Sequence, residues 1–147
     1  MKKFLSLLGL LGVLGVGGAA HAQLAGLLHV HSVPGVINTG LGVATMIACT
    51  NGGTSTATIG VEVYGSTGTY VSGGSLPVAT KATVLFATSA VTNQSVDVNV
   101  NSGVLTKGHA RVVASTTRGI VCSPFLVDAG TGGPLAALAI MKKYAQK

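Results

Sequence analysis

Apolar and polar residues alternate with a period of two over much of this chain, the mark of strands with one face turned to a core. The clearest case is Val96 to Asn101, where Val96, Val98 and Val100 alternate with Asp97, Asn99 and Asn101. Ala57 to Tyr64 sends Ala57, Ile59, Val61 and Val63 one way and Thr58, Gly60, Glu62 and Tyr64 the other. Lys81 to Thr88 turns Val84 and Phe86 inward, and His109 to Ser115 sets Ala110, Val112 and Ala114 opposite Arg111. Gly40 to Cys49 is different, because both of its faces are apolar. Val43, Thr45, Ile47 and Cys49 share one face and Ala44, Met46 and Ala48 the other, which predicts a strand in the middle of a sheet or covered on its second side. Ile120 to Val127 is a further strand. Leu135 to Met141 closes the series as a strand, although its residues suit a short helix equally well. Ahead of them, Gln23 to Gly35 alternates His29, His31 and Val33 with Val30 and Ser32. It reads as a first, edge strand ended by Pro34-Gly35, since proline belongs at edges and turns.

Between these runs lie turn residues. Thr50 to Ser55 contains Asn51-Gly52, a hairpin signal. Gly65 to Gly74 reads as a Gly/Ser/Thr loop, Asn101 to Gly103 as a turn, Thr116 to Gly119 as a hairpin into the next strand, and Ala129 to Pro134 as a loop. No helical period and no repeat is present. About seven or eight short strands at this spacing predict an all-β protein, an antiparallel β-sandwich or barrel, and the sandwich is the architecture we expect for residues 40–141.

The first 22 residues stand apart. Met1-Lys2-Lys3 is basic, Phe4 to Gly18 is apolar, and Ala20-His21-Ala22 has the small-x-small form of a cleavage site, so the chain is expected to be exported and to begin at Gln23 after cleavage. The apolar run is about 15 residues, short of the roughly 20 that span a bilayer, and rich in glycine, which argues against an uncleaved anchor. No cysteine follows it for lipid attachment. Residues 23–39 form an N-terminal segment, and residues 142–147 a basic tail.

Charged residues make up only 8% of the chain, against about 25% in ordinary domains. Thr, Ser, Asn and Gly must therefore cover the solvent face, as in extracellular β proteins. Beyond the leader, Lys81, Lys107, Arg111, Arg118, Lys142, Lys143 and Lys147 outnumber Glu62, Asp97 and Asp128. The bases are scattered except at the tail, so the dense basic stripe of a nucleic-acid surface is missing.

Cys49 and Cys122 are the two cysteines. In an exported chain they are expected to pair, tying an early strand to a late one. Neither stands in a Cys-x-x-Cys, and no histidine is close to either. Catalytic signals are sparse. Glu62 and Asp97 each fall on the polar face of a strand, where a lone acid is normally solvated, so the paired carboxylates of a glycosidase are not expected. No nucleophile elbow, phosphate loop, dinucleotide fingerprint or EF-hand ladder occurs. Asn93-Gln94-Ser95 matches a glycosylation sequon only as a loop match if the source is bacterial. The best chemical candidate is His29-x-His31. Residues i and i+2 of a strand share a face, so the two imidazoles would hold Zn²⁺ or Cu²⁺ with His109 as a third ligand. The plainer alternative is a pair of exposed polar residues near the N-terminus, because zinc usually takes three or four protein ligands.

Several short motifs together resemble a group of small uncharacterised bacterial secreted β-sandwich proteins. They are Ala48-Cys49-Thr50-Asn51, Val61-Glu62-Val63-Tyr64, Ala110-Arg111-Val112-Val113, Ile120-Val121-Cys122-Ser123, Leu126-Val127-Asp128 and Pro134-Leu135, within Gly40 to Ile140. The resemblance implies an exported sandwich with one disulfide and carries over no catalytic residue. The immunoglobulin fingerprint is not matched: the chain has no Trp, and Ile120 stands where a tyrosine corner would precede the second cysteine.

The expectation is an exported, non-catalytic structural or interaction protein of the bacterial envelope or extracellular space, periplasmic or secreted, without a cofactor, a nucleic-acid partner or an integral membrane segment after cleavage. The alternative is a small periplasmic metal-binding protein. Met46 with Ala44, the apolar final strand, and Leu24, Leu27 and Leu28 are candidates for strand exchange or self-association, unless they complete a second layer of the same monomer.

Overall fold

The computed structural model describes residues 24–142. The expected signal peptide and most of the basic tail lie outside them. Ten strands follow one another: β1 (Leu28–Asn38), β2 (Val43–Asn51), β3 (Ala57–Gly65), β4 (Tyr70–Val78), β5 (Thr83–Ala87), β6 (Val98–Asn99), β7 (Leu105–Ala114), β8 (Ile120–Asp128), β9 (Pro134–Ala137) and β10 (Met141–Lys142). No helix occurs among the described residues.

All ten strands join one hydrogen-bonded network, and its pairings run nearly full circle. β4 pairs with β3, β3 with β7, and β7 with β1; β1 takes β10 on its other side. A few residues before β10, β9 lies on β8, which pairs with β2, and β2 with β5. β6 adds to β5 in parallel and comes against β4 to close the circuit without a ladder. Gly74 of β4 permits that approach, because a Cβ there would sit 2.7 Å from Val98 Cγ1. The sheet is thus nearly closed and barrel-like. The two separate layers of the expected sandwich do not stand out clearly from it, since β1 and β2 are still joined, at Asn38 and Ala44 alone.

The interior is filled by the inward half of each alternation. Val33, Val36, Ile59, Val63 and Val112 are fully buried there, with Phe86 as the largest side chain. Each such burial stabilises by about 1.5–3 kcal/mol. β2 is apolar on both faces because it divides two cores. Ile47 and Cys49 enter the barrel interior, while Ala44 and Met46 enter a second cluster with Ala87, Val91, Val127 and Ala129. The connection between β5 and β6 lays Val91 and Val96 over that cluster. Ala44 and Met46 are both 0% exposed, so they are not available for strand exchange.

Two corners use the same device. Asn38 ends β1 and Asn51 ends β2; both are buried, and the Oδ1 of each accepts the N–H two residues on, from Gly40 and Gly53. The Nδ2 of Asn38 donates to Thr88 O and Ser102 Oγ, and that of Asn51 to Ser55 O and Val78 O. A short amide can both turn its own backbone and satisfy buried carbonyls.

Several expectations need correction. β1 is not an edge strand, since it pairs with β7 along its length and with β10 beyond. Nor does Pro34-Gly35 end it: Gly35, at φ 74°, opens a bulge through which the strand continues to Asn38. The 65–74 stretch is a loop only to Thr69, after which β4 begins. Asn51-Gly52 and Thr116 to Gly119 are not hairpins, because β2 does not pair with β3 nor β7 with β8. Both cross between the two halves of the network. Val96 to Asn101 turns Val98 and Val100 into the barrel as predicted, but Val96 packs on the second cluster and only the two residues of β6 form strand. Leu135 to Met141 splits into β9 and β10.

Candidate functional site

Polar side chains gather on the outer face of β3 and β7. Glu62 lies in register opposite Arg111, and Tyr64 opposite His109. On the other side Tyr64 faces Tyr70 of β4, and Glu62 faces Gly73. Opposed residues of paired strands project to the same face, so register alone assembles the group. The Tyr64 hydroxyl donates to Glu62 Oε2 at 2.8 Å, and the backbone N–H of Leu24 donates to Oε1 at 2.9 Å. Arg111 Nη1 donates to the Tyr64 hydroxyl at 3.3 Å and stands 3.7 Å from Glu62 Oε2. The Tyr64 ring stacks on His109 at 5.1 Å and meets Tyr70 edge-on at 5.8 Å.

Glu62 is not the solvated acid that its place in the alternation predicts. It is 2% exposed. The segment before β1 folds back over it, with Leu24 above Gly60; a Cβ at Gly60 would lie 2.5 Å from Leu24 Cδ1. Burial pushes the Tyr64 phenol above its ordinary pKa, and the bond to Glu62 adds to the rise against a smaller opposing effect of Arg111. Burial, then the Glu62 charge, raises Tyr70 as well. The group is a neutral-phenol, carboxylate and guanidinium network closed on itself. Arg111 Nε, buried within it, has no partner; nor has Ser72 Oγ on the opposite face, where Ser72 opposes Val63.

The other acids stand elsewhere. Asp97 Oδ2 accepts the Leu85 N–H at 2.8 Å, and Asp128 Oδ1 accepts those of Gly130 and Thr131, also at 2.8 Å. Each organises its own loop or strand edge.

The three histidines proposed as ligands do not share a face. The β1–β7 register slips between His29 and His31, so His29 opposes Val113 and His31 opposes Val112. Val113 points outward with Arg111, and Val112 points into the interior. The slip therefore sends two imidazoles that strand geometry puts together to opposite sides. His29 Nε2 lies 2.9 Å from the His31 carbonyl and 3.0 Å from Ser32 Oγ. His31 is buried, its Nε2 donating to the Ile120 carbonyl at 3.1 Å. His109 is in the Tyr64 stack. Among the described residues, no group of three or more His, Cys, Asp or Glu side chains gathers as a metal site.

Cys49 and Cys122 form the expected disulfide. They oppose each other in the β2–β8 register, with Cα atoms 4.1 Å apart. The bond closes a sequence separation of 73 residues across neighbouring strands.

Arg111, Tyr64 and Tyr70 were not foreseen as a group. The signal for it was present in Glu62-x-Tyr64 and His109-x-Arg111, two pairs each on one strand face, but only the β3–β7 register shows that they meet.

No helix among the described residues is long and apolar enough to cross a membrane. No protein-family model, curated protein or solved structure matches this chain at a significant level.

Proposed function

We propose that this chain is an exported, non-catalytic structural or interaction protein of the bacterial envelope or extracellular space, acting through strand pairing at β9. One observation carries the reading. β9 pairs with β8 on one side only, and all four of its residues, Pro134, Leu135, Ala136 and Ala137, are exposed. An apolar strand with one open edge is a template for a strand of another chain. The disulfide supports export, since such bonds persist in oxidising compartments. The resemblance to secreted β-sandwich proteins agrees with it, and the single Asn38–Ala44 link between β1 and β2 supports treating the two halves as the layers of a sandwich.

The test is native mass spectrometry on protein recovered from its host's envelope or medium without reductant. The reading expects a chain beginning at Gln23, lacking two hydrogens for the disulfide, in a multimer or bound to one partner. Changing Leu135→Lys and Ala137→Lys together puts charge on the open edge and should release the monomer without unfolding it. A complex indifferent to both lysines would remove β9 from the reading, and a monomer retaining residues 1–22 would overturn export.

A further inference from the structure

A cavity of about 550 Å³ opens at the end of the barrel where β1 starts. Small-molecule sites are of this size and combine apolar walls with a few placed polar groups. Leu28, Val30, Ile120 and Val121 supply the apolar wall, and His31 and Lys142 supply polar groups; His29 also lines it, its Nε2 held against the His31 carbonyl.

His31 makes this more than a surface hollow. Its side chain is buried, with the residue 6% exposed. A carbonyl can only accept, so the bond to Ile120 O puts the proton on Nε2 and leaves the Nδ1 of the neutral ring as a lone pair. That Nδ1 is buried and has no partner. An unpaired buried polar atom is costly and rare, and it calls for a partner from outside the chain. Lys142 opposes His31 in the β1–β10 register, so both side chains leave the sheet on one face. His31, with its unpaired Nδ1, and the Lys142 ammonium therefore both border one largely apolar cavity.

We propose that this cavity binds a small amphiphile with a single carboxyl head. A carboxylic acid is ionised in neutral water, so the carboxylate takes up one proton from solvent as it binds. One oxygen shares that proton with His31 Nδ1, the second accepts from Lys142 Nζ, and the hydrocarbon lies on Leu28, Val30, Ile120 and Val121. An alcohol would satisfy Nδ1 but leave the ammonium, and a quaternary ammonium would satisfy neither and be repelled by Lys142. The site is separate from the β9 edge, and failure of either leaves the other standing.

The experiment is calorimetric titration of the purified, oxidised protein with decanoic acid, using decanol and decyltrimethylammonium as chain-matched controls. The expected result is saturable one-site binding of the acid, about tenfold or more tighter than either control. In His31→Gln the side-chain amide stands where Nε2 was and keeps the bond to Ile120 O while the Nδ1 lone pair is gone, so acid binding should fall about tenfold or more. Lys142→Glu changes an exposed residue and leaves the fold alone. It should weaken the acid, leave decanol unchanged, and decide the matter should His31→Gln fail to fold by circular dichroism. No saturable binding of decanoic acid, equal binding of decanol, or an acid affinity untouched by Lys142→Glu would each overturn the proposal.

Discussion

The buried carboxylate of Glu62 yields the sharpest prediction about this fold. It accepts two hydrogen bonds, from Tyr64 at 2.8 Å and Leu24 at 2.9 Å, and faces Arg111 at 3.7 Å. A hydrogen bond to a charged group is worth about 1.5–3 kcal/mol. The three partners do not count equally. Leu24 lies at the start of the described chain and is partly exposed, so its N–H can rehydrate. The Arg111 side chain is 32% exposed and its ion pair is long, so screening holds that contribution to about 1 kcal/mol or less. The Tyr64 hydroxyl is buried and would keep only its contact with Arg111. Glu62→Gln preserves volume and one acceptor and should cost about 1–2 kcal/mol. Glu62→Ala also opens a void beneath Leu24 and should cost about 3 kcal/mol. Tyr64→Phe combined with Glu62→Ala should show a coupling of about 1 kcal/mol, because each change removes the same bond. Urea unfolding followed by far-ultraviolet circular dichroism measures all of these, with Lys107→Ala, an exposed change, as the control. Losses within about 0.5 kcal/mol for both Glu62 variants would mean that the carboxylate is hydrated, as its strand pattern alone suggests, and would refute the burial argument.

Three further outcomes follow from other parts of the molecule. Reducing the Cys49–Cys122 bond frees a 73-residue separation, which in the chain-entropy account lowers stability by about 4 kcal/mol; an unfolding midpoint that is the same with and without reductant would contradict this. Tyr64 and Tyr70 have folded pKa values raised above the unfolded value of 10.0, so their contribution is whole below that pH and is lost as pH climbs through the folded values. Stability should therefore decline on the alkaline side more steeply than in Tyr64→Phe, and phenolate absorbance should appear later in folded than in unfolded protein. Met46→Ala empties the centre of the second core, where Met46 is 0% exposed, and should cost about 2–5 kcal/mol; a loss under about 0.5 kcal/mol would show that the 88–97 connection does not seal that cluster.

What could be read from the sequence was what depends on neighbours along the chain. The faces of β3, the inward Val98 and Val100, and the two-sided apolarity of β2 all follow from period two, and the burial agrees with each. Val96 was sent to the second cluster by the connection that carries it. Pairing partners were not legible. Asn51-Gly52 has hairpin chemistry, but Asn51 is drawn into the core by the carbonyls of Ser55 and Val78, and the chain crosses over instead. β4 was hidden because Gly73 and Gly74 look like loop residues. They are small because Tyr70 and Val98 pack where their side chains would be. The histidine pair was misplaced by one bulge at Val30, and a single added residue reverses every face beyond it. Glu62 looked solvated because alternation gives the face of a residue but not what lies over that face.

The way the circuit closes also sets an order of events. β9 and β10 come last in the chain, yet they cover β8 and the open side of β1, the strand that begins the fold. Cys122 likewise arrives long after the Cys49 it must meet. A chain emerging from the ribosome cannot complete this sheet until residues 134–142 are free, and contacts so distant in sequence form slowly. Until then the circuit stays open on both β1 and β8. A topology that joins first strand to last therefore makes completion of the sheet an event that follows synthesis of this segment and does not accompany it.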